Sequence, residues 1–229
     1  MKKIAILQSN YIPWKGYFDI INSVDEFIFY DTEQYTRRDW RNRNKIKTPH
    51  GTIWLTIPVM VKGNFYQKIS VTQVSDNKWR KKHWQAIKLN YSKAPFFNEY
   101  KEIFEELYLN SNEVYLSKIN YDFIREINKI LKINTKLSWS SDFLISGEKS
   151  EKLLNICLQT NADEYISGPA AKGYLDTELF ESHNINVTWM DYSDYPEYDQ
   201  LYPPFEHNVS VLDLIFNVGG EALKYIKSK

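Results

Sequence analysis

Two hydrophobic patterns alternate along the chain. Short continuous apolar runs bounded by turn residues suit buried strands, and apolar residues recurring every three or four positions suit helices. Residues 4–7 form the first run, which changes within one residue to Gln8, Ser9, Asn10 and Tyr11. Pro13, Trp14, Lys15 and Gly16 follow, and a second apolar stretch starts at Phe18. This predicts strand, loop and helix start, with Pro13 and Gly16 punctuating the loop. Residues 26–31 predict a second strand that ends at Asp31, with Thr32, Glu33, Gln34 and Tyr35 at its exit. A strand–helix–strand opening is a βαβ unit, so the two strands are expected to be parallel neighbours. Asp31 and Gln34 then fall at the same sheet edge as Gln8 and Tyr11.

The middle of the chain departs from this rhythm. After the turn at Pro49, His50 and Gly51, the run from Thr52 predicts a strand that forms a hairpin with the basic segment before it. Residues 68–74 predict another strand, so this segment is either an antiparallel addition to the parallel sheet or a small separate β layer. Residues 77–132 predict helices. Trp79, His83, Ile87 and Tyr91 share one face of the first, and Tyr115, Ile119, Phe123 and Ile127 form the stripe of the third. The last third returns to α/β alternation. It has a strand from Lys136, a helix over 150–160 that buries Cys157, a strand over 164–167, a helix, a strand from Ile185, and a terminal helix from Val211. Asn208 or Ser210 is the expected cap of that helix, and Asp213 has nearly the spacing of a capping box. The expected fold is therefore α/β: one domain over 1–229 built on a mainly parallel sheet, with an inserted antiparallel β segment and a helical segment over 77–132.

Composition narrows the chemistry. The 229 residues balance 29 Lys and Arg against 29 Asp and Glu, which disfavours general nucleic-acid binding. The single Cys157 excludes an intrachain disulfide and a zinc–cysteine cluster, and fits a reducing compartment. The first residues imitate a signal peptide, but the apolar run is too short and no cleavage site follows. No stretch approaches a membrane span. A cytoplasmic protein is the simplest expectation. Aromatic residues make up 16% of the chain, an excess that suits stacking on sugars and bases as well as core packing.

Candidate site residues gather at strand exits, where open α/β sheets place their ligands. The first loop supplies Gln8, Tyr11, Trp14, Lys15 and Tyr17, with Trp14 also readable as a packing anchor. The second strand's exit supplies Asp31, Gln34 and Tyr35. The run over 36–48 contains Arg37, Arg38, Arg41, Arg43, Lys45 and Lys47 around Trp40, with Asn44 among them. Arg41 and Arg43 suit phosphate, although alternation also suits a solvated edge strand. Ser167, Lys172 and Tyr174 belong to a Gly- and Pro-containing loop whose backbone amides can hold an anion. His83 is either a packed histidine or a proton-transfer group, and Asp213 either a cap or a site residue. No H-E-x-x-H, G-x-S-x-G, G-x-G-x-x-G or Walker spacing occurs, so no metal site is expected. What remains fits a phosphorylated or nucleotide-linked ligand.

These motifs also carry a resemblance. LQSNYIPWKGYFDII, then Asp31, Gln34 and Tyr35, then Trp40, Asn42, Arg43, Asn44 and Ile46, resemble the opening of the WbqC-like family. Further matches are the helix from His83 to Tyr91, Ser167-Gly168 before Tyr174, and the segment from Ser210. Ser9 departs from the proline usual in the family. The resemblance implies a bacterial protein of surface-polysaccharide (O-antigen) biosynthesis. It implies transfer of an amino acid such as glycine, or another acyl donor, to the amino group of a nucleotide-linked amino sugar. Its chemistry leaves the cofactor open, with ATP and magnesium as the candidate for an activated-acyl route. Asp31 is the expected base and His83 the second catalytic candidate. A non-catalytic nucleotide-sugar-binding or scaffolding role is the alternative. The segment around Trp14 and Tyr17 is also similar to the H-x-G-H segment of the nucleotidylyltransferase-like fold, with an indole and a phenol where the histidines would stand.

Overall fold

The computed structural model describes residues 1–228. Seven strands and seven α-helices follow one another as β1 (Lys3–Leu7), α1 (Lys15–Asn22), β2 (Glu26–Phe29), β3 (Arg43–Thr48), β4 (Gly51–Thr56), α2 (Lys78–Tyr91), α3 (Phe97–Leu109), α4 (Leu116–Ile130), β5 (Lys136–Trp139), α5 (Ser150–Gln159), β6 (Glu164–Ser167), α6 (Thr177–Glu181), β7 (Asn186–Trp189) and α7 (Val211–Val218).

Five strands form a parallel sheet in the order β5-β2-β1-β6-β7, with Ile4 paired to Glu26 on one side and to Tyr165 on the other. From β1 the chain first adds strands outward on one side (β2, β5), then returns to add β6 and β7 on the other. The switch point therefore lies between β1 and β6, where doubly wound sheets open a crevice beyond the strands' carboxyl ends.

β2 and β6 are buried at every residue, as expected of strands covered on both faces. Side chains alternate between those faces. Ala5, Phe27, Phe29 and Ile166 pack with α1, α2, α3, α4 and α7, whereas Ile4, Ile6, Ile28 and Tyr165 pack with α5 and α6. Cys157 lies in the second layer, where burial pushes its thiol up to about 12, as suits a small core residue.

β3 and β4 form a separate antiparallel hairpin, the second of the two arrangements expected. The strand expected over 68–74 is replaced by a short 3-10 turn, Ile69–Val71, with isolated bridges at Lys68, Gln73 and Val74. Tyr115 precedes α4 and is exposed, while Ile119, Phe123 and Ile127 are buried as expected. Ser210 caps α7 through Leu212 N–H, but Asp213 points elsewhere, so the capping box does not form.

Candidate functional site

The loop after β1 is fixed along its whole length. Ser9 N–H donates to Asp31 Oδ1 at 2.8 Å, Tyr11 N–H to the Trp40 carbonyl at 3.0 Å, and the Tyr17 hydroxyl to the Gln8 carbonyl at 3.0 Å. Asn44 Nδ2 reaches the Tyr11 and Ile12 carbonyls at 3.2 and 2.9 Å. Asn120 Nδ2 ties Ser9 Oγ to the Arg41 carbonyl. These bonds hold Ile12 at a φ of +36°, a conformation a β-branched residue adopts only when its surroundings impose it. Trp14 folds back over Gly16, where the indole leaves no room for a Cβ. Trp14 also meets the edges of Tyr192 and Tyr195, so its orientation is set from three sides.

Beyond the carboxyl ends of β1 and β6 opens a cleft of about 540 Å³, within the usual range for small-molecule sites. Gln8 and Asn10 enter it from the first loop, Ser167 and Tyr174 from the loop after β6, and Trp40 and Arg41 from the segment before β3. Tyr30 and Glu33 arrive from the exit of β2, and Lys149 and Lys152 from the start of α5. Arg41 donates to Asn10 Oδ1 and lies 3.7 Å from Asp39, while its buried Nε has no protein acceptor. Lys152 Nζ pairs with Glu33 at 3.3 Å. Three cations and one carboxylate thus line the cleft, with Asp39 behind Arg41, an excess of positive charge that suits an anionic ligand, and the aromatic rings supply stacking surfaces.

The expected convergence of the first loop and the Ser167 loop on one edge is found, since β1 and β6 are neighbours. Gln8, Arg41, Ser167 and Tyr174 share the cleft, and Trp14 and Asn44 line a hollow beside it. Other expected members lie elsewhere. Asp31 is buried beneath the loop, bonded to Ser9 N–H and the Ser117 hydroxyl, so it braces the cleft floor instead of facing the ligand space. Burial raises its carboxyl above the usual range, against the lowering effect of those bonds. Tyr11 and His83 are core residues. The Tyr11 hydroxyl lies 2.9 Å from His83 Nδ1 and 2.6 Å from the Tyr108 hydroxyl, between Trp79 and Phe123.

Tyr17 and Tyr35 are buried, and burial pushes the Tyr35 phenol up to about 12. Gln34 is exposed and donates to the Phe65 carbonyl. Arg43 stacks on Trp54 at 4.1 Å, and Lys172 lies beside Trp189. Lys15 is buried, donating to the Pro196 carbonyl at 2.8 Å among the rings of Tyr195, Tyr198 and Phe205. This burial lowers its ammonium to about 8. Asp213 accepts from Tyr91, Tyr198 and Gln200, far in sequence from the cleft loops. The polar and aromatic lining residues that the sequence does not single out as site residues are Asn10, Tyr30, Glu33, Trp40, Lys149, Lys152 and Tyr165 in the cleft and Asn208 in the hollow. The spacing of Lys149 and Lys152 across the start of α5 was the available signal, since residues three apart share a helix face.

Burial lowers the His83 imidazole to about 4, with a hydrogen bond to the Thr56 backbone acting the other way. A histidine depressed on folding contributes stability that is fully present above its unfolded value and is lost as pH falls toward the folded one. The wild-type protein is therefore expected to lose roughly 3 kcal/mol between about pH 6.5 and pH 4 through this group. Urea unfolding of His83→Leu across that interval should show a flatter pH dependence. An unchanged slope would remove His83 as the source.

Comparison with known proteins agrees with the motifs. An uncharacterised protein of Mycobacterium tuberculosis is 50% identical over 227 residues, covering 99% of this chain and 98% of that protein. No solved structure matches the chain. The WbqC-like protein family matches residues 8–225, which includes every strand exit that builds the cleft, and the chain belongs to that family.

Proposed function

We propose that the protein binds a nucleotide-linked amino sugar and transfers an amino acid such as glycine to its sugar nitrogen, in bacterial surface-polysaccharide biosynthesis. The supporting observation is the cationic, aromatic cleft at the switch point of the sheet, lined by three cations and one carboxylate. Arg41, Lys149 and Lys152 hold the phosphates, and Gln8, Asn10 and Ser167 orient the ligand by hydrogen bonding. An amine attacks an activated carboxyl only when neutral, so a base must take its proton. Glu33 fills that role better than Asp31, whose oxygens are already bonded below the loop. Activation as an adenylate would use ATP, with magnesium carried on its phosphates, and release pyrophosphate; attack by the sugar amine would then break the acyl–phosphate bond and release AMP. The strand order and the P-W-x-G-Y loop after β1 support an affiliation with the nucleotidylyltransferase-like architecture.

A second reading, binding or scaffolding without turnover, is favoured by one observation: Asp31 and His83 are both held in buried hydrogen bonds outside the cleft. One screen separates the two. Nucleotide sugars at a hundredfold excess over their dissociation constant stabilise a binder by about 2.7 kcal/mol, a Tm rise of roughly 5–10 °C. Mass spectrometry of the same mixtures, with amino acids and ATP added, reads turnover. Stabilisation with an amide product supports the transferase, and stabilisation alone the binding role. No Tm change with any nucleotide or nucleotide sugar overturns the transferase and the binding role and leaves only a scaffolding, protein-interaction role.

A further inference from the structure

Beside the cationic cleft lies a second hollow of about 260 Å³, lined by Asn10, Pro13, Trp14, Trp40, Asn44 and Asn208. Its size falls below that of a drug-sized site, so it suits a single ring and not a whole nucleotide. Asn10 and Trp40 line both spaces, which makes the hollow an extension of the cleft. The two differ in chemistry. No charged side chain lines the hollow among the described residues, whereas Arg41, Lys149 and Lys152 line the cleft.

We propose that the hollow is the sugar subsite, receiving the pyranose ring and its amino or acylamino group while the diphosphate lies over Arg41, Lys149 and Lys152. This rests on the nucleotide-sugar reading above. Two indoles offer flat apolar surfaces for the C–H face of a pyranose, and side-chain amides offer paired donors and acceptors for hydroxyl and amide groups. Asn44 is not free to read a ligand, because its amide is bonded to the Tyr11 and Ile12 carbonyls and to Lys45 N–H. It shapes the wall instead. Asn10 Oδ1 accepts from Arg41, which leaves its NH2 group for a ligand acceptor. Asn208 is exposed, and its side chain makes no hydrogen bond to the described residues, so both its amide functions are open. The wall at Trp14 is rigid. The indole is seated over Gly16 and edged by Tyr192 and Tyr195, so little ordering is needed on binding.

Calorimetric titration of the full chain tests the assignment, with UDP, dTDP and GDP compared with their hexose and N-acetylhexosamine conjugates. In the wild type, a conjugate should bind at least about tenfold more tightly than its parent nucleoside diphosphate. Asn208→Leu, which fills the hollow from an exposed position, should abolish that ratio and leave the nucleoside diphosphate within about twofold. Lys152→Ala should weaken both ligands by a similar factor. Asn208→Ala, which only removes the amide, gives the same reading if the leucine variant folds poorly. A ratio that survives both Asn208 variants overturns the subsite while leaving the nucleotide-sugar reading intact. So does an equal loss for the nucleoside diphosphate and its conjugate, which would assign the hollow to the base. If no nucleotide or conjugate binds the wild type, the functional reading fails and the subsite with it.

Discussion

Asp213→Ala is expected to destabilise the protein by about 3–5 kcal/mol, the cost of stripping a buried charged group from its partners. Asp213 lies on α7, whose seven residues from Val211 through Asn217 are all buried. Its carboxylate accepts from the Tyr91 hydroxyl at 2.9 Å, the Tyr198 hydroxyl at 2.8 Å and Gln200 Nε2 at 2.9 Å. Tyr91 in turn accepts from Lys47 N–H, and Lys47 Nζ donates to Gln200 Oε1. One carboxylate therefore joins α2, β3, α7 and the segment before α7. Alanine leaves two buried phenols without an acceptor, each a cost of about 1–3 kcal/mol before any rearrangement, while Gln200 Nε2 keeps the Glu206 carbonyl. Asp213→Asn keeps one acceptor oxygen and should cost less. Urea-unfolding midpoints read both variants, and a loss under about 1 kcal/mol for alanine would mean that the network repairs itself.

The site is legible in the sequence where local pattern and topology coincide, and obscure where side-chain direction decides. The first loop and the Ser167 loop were readable because short apolar runs fix their strands, and parallel strands share an exit edge. The strand over 164–167 is found with those bounds. The 68–74 segment misleads because Ile69 and Val71, two residues apart, mimic a strand's alternation. Its backbone bonds instead close a tight turn, with Ile69 N–H reaching Glu33, Ser70 N–H reaching Asp31 and Thr72 N–H reaching Ile69. Asp31, Tyr11 and His83 share a related ambiguity. Polar groups near a strand exit can face a ligand or tie the loop to its support, and only the packing of α2 and α4 against the loop decides. Lys149 and Lys152 come from the crossover helix after the edge strand β5. Their spacing places them on one helix face, but the approach of Lys152 to Glu33 depends on how α5 lies across the sheet, a long-range relation that this spacing does not contain.

Glu33→Gln is expected to reduce transfer to the sugar nitrogen by about 10²–10⁴-fold, the range for loss of a positioned general base. Glu33 is the one carboxylate among the described residues lining the cleft, and Lys152 holds it at 3.3 Å. Glutamine keeps the shape and the hydrogen-bonding reach but cannot accept the amine's proton. Nucleotide-sugar affinity should therefore stay within a few-fold, so the loss falls on kcat and not on KM. Anionic phosphate arriving at Lys152 would compete with Glu33 for that ammonium and release the carboxylate toward the amine. Lys152→Met should consequently weaken binding and lower kcat together. Asp31→Asn supplies the contrast. Its carboxylate is buried beneath the first loop, so the variant should lose stability, with any fall in rate following the folded fraction. Steady-state kinetics and calorimetry on the three variants decide the assignment. Wild-type kcat in Glu33→Gln, together with a fully folded but inactive Asp31→Asn, would return the base to Asp31 and require the first loop to open during the reaction.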